Sequence, residues 1–198
     1  WVIEAVVRQM SSWPQALSSL KVAINLSPAQ FLFDTIGRDL NDISSRHAVD
    51  PGRLTLEITE GALMRDTEKT LLQLGMLREQ GVRLAIDDFG KGYSSLSYLR
   101  KFRLDQLKID RSFVIGIESD AGARAVIRGI LALATSLGLT TTAEGVEDEQ
   151  QMEFLHHERC TLAQGYLFSP AVPSDRLVEL VVADNNHVRA ADFANPVL

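Results

Sequence analysis

RLAIDDFG (83–90) decides how this chain of 198 residues is read. Leu84, Ala85 and Ile86 form an apolar run that ends in two adjacent carboxylates, Asp87 and Asp88. An apolar run stopping at an acid fits a buried parallel strand that delivers a side chain to one rim of a barrel. One such run would mean little. Five more share the pattern: VAINLS (22–27), LTLEITE (54–60), QLKIDRSF (106–113), LTTTAEGVE (139–147) and LAQGYLFS (162–169). They deliver Asn25, Glu57, Lys108 with Asp110, Glu144 with Glu147, and Gln164. Polar groups at the end of every strand describe a metal-centred active site.

Helical spacing fills the intervals. Residues 1–13 carry Val2, Ile3, Val6, Val7 and Met10 on one face. Residues 28–47 repeat the pattern with Phe31, Phe33, Ile36, Leu40 and Ile43, after Pro28. Further helices are expected over 66–80, stopping at Gly81, over 94–101, and over 120–137, ending at Gly138. The last two are expected over 148–158, with Asp148 near the cap, and over 173–183. Residues 184–198 show little periodicity and read as a tail, leaving 1–183 as the domain. Strands alternating with helices imply βα units and a parallel sheet. The fold class is therefore α/β, a TIM-like (β/α) barrel with about six of its eight strands in this chain. An open doubly wound sheet ranks lower, because polar residues end every strand rather than cluster at one switch point.

Hydrophobic residues make up 45% of the chain, which suits a globular protein with a core. A net charge of −6 argues against broad binding to DNA or RNA backbones. The single cysteine, Cys160, excludes an internal disulfide and reads as a small buried hydrophobe in a reducing compartment. No apolar run reaches membrane-spanning length, and no signal peptide is visible. The first residue is Trp rather than Met, so a piece of a longer chain is expected.

Asp87 and Asp88 carry the sharpest chemistry. Adjacent carboxylates at a strand end can splay, one bridging two metals while the other takes one of them. Two metals about 3.5–4 Å apart would clamp the attacking and leaving oxygens of a phosphodiester. Asn25 and Glu57 add hard oxygen donors that suit Mg2+ or Mn2+. The bland alternative is that the two acids cap the turn FGKG. Lys108, between Leu107 and Ile109, points inward, and a buried lysine is rare unless paired. It would orient the attacking water or neutralise a phosphate oxygen; a salt bridge to Asp110 or Glu144 is the structural alternative, and the two can coexist. Glu144 is the candidate general base, with Gly145 keeping the backbone compact beside it. Glu147 reads as an acid at the helix start more than as a second ligand. Gln164 would hydrogen-bond near the site, and Gly165 would let substrate approach closely. The loop from Gly90 through Lys91 and Gly92 to Ser95 suits anion binding or a gate, with Glu60 holding it or capping the next helix. The four histidines stand outside the strand ends, and Trp1, Trp13 and the other aromatics read as packing residues.

NLS (25–27), EITE (57–60), DDFGKGYSSL (87–96), LKID (107–110), AEGVE (143–147) and QGYLFS (164–169), in this order, closely resemble the EAL-domain family. The resemblance runs from about residue 1 to about residue 183 and, taken together, its motifs are highly specific. It implies hydrolysis of cyclic di-GMP to linear pGpG on a TIM-like barrel with two Mg2+ or Mn2+ ions, in bacterial second-messenger signalling. Asn25, Glu57 and Asp87 resemble metal ligands, with Asp88 on the second metal. Lys108 resembles the water-orienting lysine and Glu144 the essential carboxylate. Asp110 and Gln164 match further active-site positions, and Glu60 the loop-anchoring glutamate.

The resemblance also implies a homodimer through helices around the Lys91 loop, a cytoplasmic location or the cytoplasmic part of a membrane-bound sensor, and a sensory or GGDEF domain upstream in the parent protein. Two departures stand out. Lys91 replaces the small residue usual between the loop glycines, which is expected to tune the loop. The Glu-Ala-Leu strand falls before residue 1, which implies weak or absent turnover by these 198 residues alone. The alternatives are a non-catalytic cyclic di-GMP receptor or protein-interaction module, and a fragment that assembles by strand exchange.

Overall fold

The computed structural model describes residues 1–27, 30, 36–63, 67–91 and 96–184. Six strands follow chain order in the sheet: β1 (Val22–Leu26), β2 (Leu54–Thr59), β3 (Arg83–Phe89), β4 (Gln106–Ile109), β5 (Thr140–Glu144) and β6 (Leu162–Gln164). The α/β class and the strand count agree with the sequence reading. The chain divides into two compact units, one of Trp1–Ile86 with Ser95–Leu104, the other of Asp87–Ser94 with Asp105–Leu198. Among the described residues, no helix is long and apolar enough to cross a membrane.

In the first unit, β1 and β2 pair in parallel with Ile24 opposite Leu56 and Asn25 opposite Glu57. Side chains alternate along a strand, so this register puts Ile24, Leu26, Leu56 and Ile58 on one face and Asn25 with Glu57 on the other. The first set is buried. Helix α1 (Val2–Ser11) buries Ile3, Val7 and Met10, and α2 (Ile36–His47) buries Ile36, Leu40 and Ile43. That spacing is one stripe of an amphipathic helix, and the two helices pack together. The sequence-expected start of α2, with Pro28, Phe31 and Phe33, lies outside the described residues. Arg53 ties the loop before β1 to the start of β2 by donating to the carbonyls of Leu17 (3.0 Å) and Leu20 (3.1 Å). A short helix, α3 (Glu60–Leu63), begins where β2 ends, and α4 (Thr67–Glu79) stops ahead of Gly81. Helix α5 (Leu96–Phe102) buries Leu99 and Phe102.

In the second unit, β4 pairs with β5 and β5 with β6, all parallel. Two strands are shorter than their sequence runs suggest. QLKIDRSF leaves the sheet after Ile109, because Asp110 caps a short helix, α6 (Arg111–Val114), by accepting from the Ser112 amide. LAQGYLFS leaves it after Gln164. Helix α7 (Ala121–Ser136) is capped by Asp120, which accepts from the Gly122 amide at 2.7 Å, and buries Ile127, Ile130, Leu131 and Ala134. Helix α8 (Glu149–His157) is capped by Asp148, which accepts from the Gln151 amide at 2.8 Å. An unfilled cap costs about 1 kcal/mol, so these acids explain where the helices start. Helix α9 (Ser174–Asp184) is the last described element, and the tail beyond it, with His187, lies outside the described residues. Cys160 is 1% exposed and its thiol donates to the Leu162 carbonyl; burial pushes that thiol up, so it acts as a core hydrophobe. The packing reading of the aromatics fails for three of them: Trp1, Tyr166 and Phe168 are exposed.

Candidate active site

Strand register brings the polar groups together within each unit. In the first, Asn25 and Glu57 are side by side at the ends of β1 and β2. Neighbouring strands lie about 4.8 Å apart, so two in-register residues present adjacent side chains on one face. Glu57 is buried and Asn25 exposed. Glu60 is buried at the first position of α3, so the strand-to-loop junction expected there is a strand-to-helix one.

The second unit holds the most connected cluster. Lys108 on β4 is 5% exposed. Its ammonium lies 2.6 Å from Glu144 Oε1 at the end of β5 and 3.2 Å from Asp87 Oδ1 in β3. Burying a lysine is costly unless carboxylates compensate, and here two do. Glu144 and Gln164 stand opposite each other in the β5–β6 register, and the Gln164 amide donates to Glu144 Oε1 at 2.9 Å. Glu144 is thus held on the same oxygen by a cation and an amide from its two flanking strands. The sequence alternatives for Lys108 resolve in favour of Glu144, joined by Asp87, while Asp110 pairs elsewhere.

Asp87 Oδ1 is buried and makes no aligned hydrogen bond, although Lys108 is its ion-pair neighbour. A buried carboxylate oxygen that is ion-paired but lacks an aligned hydrogen bond keeps lone-pair capacity that a hard divalent cation can use. Asn25 and Glu57 in the first unit, and Asp87 and Asp88 in the second, each offer oxygen, the donor type that Mg2+ and Mn2+ favour. Among the described residues, no three Asp, Glu, His or Cys side chains stand together as a ready metal centre. His47, His156 and His157 stand on helices, away from the strand ends.

Asp88 has a left-handed backbone, φ 54°, a conformation that Asp tolerates better than most residues. An i to i+3 turn follows, with the Lys91 amide donating to the Asp88 carbonyl. That turn folds Lys91 back so that its ammonium is 2.8 Å from Asp88 Oδ1 and 2.8 Å from Asp110 Oδ2. Asp110 turns its other oxygen to the Ser112 amide (3.0 Å) and hydroxyl (2.5 Å). Burial would raise the Asp110 carboxyl, but Lys91 and Ser112 outweigh it and hold it at about 2. The hydrogen bond to Asp110, then that to Asp88, pushes Lys91 above the ordinary lysine range. Because the folded Asp110 value lies below the ordinary one, its contribution is complete above about pH 4 and fades as pH falls through about 2. Thermal unfolding followed from about pH 5 down to about pH 2 is expected to show a fall in stability in that window. Asp110→Asn is expected to flatten that part of the curve; an unchanged curve would refute the assignment.

Gly90, at φ 99°, lies so close to the Phe113 ring that a Cβ would fall 2.9 Å from it. Gly92 and Tyr93 to Ser95, the rest of the expected loop, lie outside the described residues. Gly145 is at φ 68° with Arg111 packed where a side chain would stand, so it does keep the backbone compact beside Glu144. Gly165 differs from expectation: the space a side chain would fill is taken by the Val146 main chain, not left for a substrate. Glu147 is an ion-pair partner of Arg111 at 2.6 Å and stands immediately before Asp148, the cap of α8, at the helix entry. The sequence reading had no view of the Lys91 pairings. Their signal is the three-residue spacing of Asp88 and Lys91 across a glycine.

Residues 1–171 match the EAL domain family. The chain is 41% identical over 189 residues to the cyclic di-GMP phosphodiesterase NbdA of Pseudomonas aeruginosa, covering 92% of this chain and 24% of that protein. It is 39% identical to a solved MucR phosphodiesterase in complex with c-di-GMP, with a TM-score of 0.84, covering 89% of this chain and 72% of that one. MucR of Pseudomonas aeruginosa is a bifunctional diguanylate cyclase and cyclic di-GMP phosphodiesterase. A Klebsiella pneumoniae BlrP1 structure with manganese and cyclic di-GMP is 32% identical, with a TM-score of 0.75, covering 85% of this chain and 43% of that one. A BlrP1 complex with calcium matches as well, at 30% identity and a TM-score of 0.77 over 84% of this chain and 42% of that one. The chain spans about a quarter of the length of the curated relatives it matches, 22%, 27% and 22% for three of them. A family match across most of the chain, with this likeness of fold, shows that the chain belongs to the EAL domain family.

Proposed function

We propose that this chain is the phosphodiesterase part of a protein that hydrolyses cyclic di-GMP to linear pGpG in bacterial second-messenger signalling. The carrying observation is Lys108, buried between Asp87 and Glu144 and braced through Glu144 by Gln164. Asn25, Glu57, Asp87 and Asp88 would hold two divalent cations, Mg2+ or Mn2+. When bound, such ions supply positive charge that polarises the phosphodiester and offsets charge on its oxygens. Lys108 then orients the attacking water with its ammonium. Glu144, fixed by Lys108 and Gln164, takes the proton from that water as general base. Asp110, at the cap of α6, supports the site through its contact with Lys91, while Glu60 and Gly90 shape its loops. A substrate phosphate would bring its own negative charge into a cluster rich in carboxylates, so the cations and Lys108 also serve to admit it.

Residues 1–183 acting as one domain, the homodimer, the GGDEF-containing parent and the cytoplasmic location belong to the same proposal and rest on the family.

The test is conversion of cyclic di-GMP to pGpG by the full-length protein carrying these residues, with Mn2+ or Mg2+ and with chelator. Turnover that stops on chelation and returns with excess metal is the expected result. Tight binding of cyclic di-GMP without turnover at any metal concentration would replace this reading with that of a receptor.

A further inference from the structure

We infer that Lys91 is a built-in counter-cation of Asp88 and Asp110 that a divalent cation must displace, so that the chain binds the second of two metal ions more weakly than the first. The inference rests on the reading of Asp88 as a ligand of that second ion. Its geometry is independent of that reading. The ammonium makes two contacts of 2.8 Å, one to each carboxylate, and each is a charge-assisted hydrogen bond. The arrangement is built rather than incidental. The left-handed turn at Asp88 returns Lys91 to it, and Ser112 fixes Asp110 so that its remaining oxygen faces the ammonium.

A divalent ion approaching Asp88 therefore meets a positive charge already in place. It must break a strong contact and then tolerate or expel that charge. Expulsion is open to it, because the Lys91 side chain is 52% exposed and a lysine stem is flexible. Asp87 Oδ1 also faces an ammonium, that of Lys108 at 3.2 Å, but the contact is not an aligned hydrogen bond and Lys108 keeps Glu144 as a 2.6 Å partner, so a first ion there breaks no such bond. The departure of Lys91 from the small residue usual at this position thus sets the metal concentration at which the site fills.

The experiment is Mn2+ titration of the chain without nucleotide, by calorimetry and by the electron-paramagnetic signal of free Mn2+, with a thermal melt of every variant. Lys91→Thr is expected to tighten the weaker Mn2+ step by about tenfold, the scale of one such charged contact, and to leave the tighter step in place. Lys91→Met keeps the stem, drops only the charge and carries the same expectation should Lys91→Thr fail to fold. Lys91→Arg should leave the weaker step weak. If Asp88→Asn abolishes the weaker step while neither uncharged Lys91 variant tightens it, Asp88 remains a ligand and the counter-cation inference fails. If Asp88→Asn leaves both steps untouched, the ligand reading falls and the inference falls with it.

Discussion

Lys108→Met is expected to lower cyclic di-GMP turnover by about 10²–10⁴-fold, the range that a positioned proton-transfer or electrostatic group contributes. Its ammonium is the shared contact of Asp87 and Glu144, so one truncation unseats both the metal-ligand candidate and the base. Methionine fills most of the volume, and the loss will therefore report charge rather than a cavity. A structural cost accompanies it. The lysine is 5% exposed, and removing one partner of a buried pair costs about 3 kcal/mol because the remaining charges lose their compensation. Melting curves must accompany the kinetics, and rates should be compared where each variant is fully folded. Glu144→Gln separates the two effects. It keeps the Lys108–Asp87 pair and the shape of the side chain while removing the proton acceptor. Its turnover should fall in the same range with cyclic di-GMP binding retained. Residues that act as one unit do not add, so the double variant should be little worse than either single one. Turnover by Lys108→Met within threefold of the unmodified protein, at matched folding, would remove Lys108 from the mechanism.

Much of this cluster was legible because strands have a period of two. Alternation places Asn25 and Glu57, and Glu144 and Gln164, at strand ends on one face, and the register of the sheet then sets them opposite each other. Helix stripes were legible for the same reason with a different period, as Ile3, Val7 and Met10 in α1 illustrate. Element ends were harder. Asp110 looks like the last acid of a strand, but its carboxylate captures the Ser112 amide and starts a helix, a local competition that apolar patterning does not register. The role of Lys91 depends on a left-handed aspartate and on a partner nineteen residues further on, information that lies in backbone conformation and tertiary contact. Gly165 suggests room for a substrate because the sequence offers no hint of the neighbouring main chain that fills the space. Exposure at Tyr166 and Phe168 likewise follows from the strand ending at Gln164 rather than from their apolar character.

Gly165→Ala is the second large effect, and it acts on the fold. A methyl group there would stand 2.1 Å from the Val146 carbonyl oxygen and 2.3 Å from its nitrogen, against an ordinary contact of more than about 3.4 Å. Both obstacles are main-chain atoms, so no side-chain rotation can relieve them. Nor can the loop withdraw freely. The Val146 amide donates to the Gln164 carbonyl at 3.0 Å, the Val146 carbonyl accepts from the Leu167 amide at 3.0 Å, and the Val146 side chain is fully buried. Displacing the loop by the roughly 1 Å required breaks at least one of these bonds, at about 1 kcal/mol, on top of about 1–3 kcal/mol of overpacking. A loss of about 3 kcal/mol is a large share of the 5–15 kcal/mol typical of a domain. Gln164 is the preceding residue, so the same displacement pulls its amide from Glu144, and turnover should drop even in molecules that fold. Gly129→Ala provides the contrast. It lies in α7 with nothing within 4 Å of an added Cβ, and there the same substitution should stabilise by about 0.5–1 kcal/mol through helix propensity. Opposite signs for one chemical change at two glycines would isolate the Val146 contact as the cause. A Gly165→Ala variant that melts with the unmodified chain would instead mean that the two loops can part without cost, and the bracing of Glu144 by Gln164 would lose its structural basis.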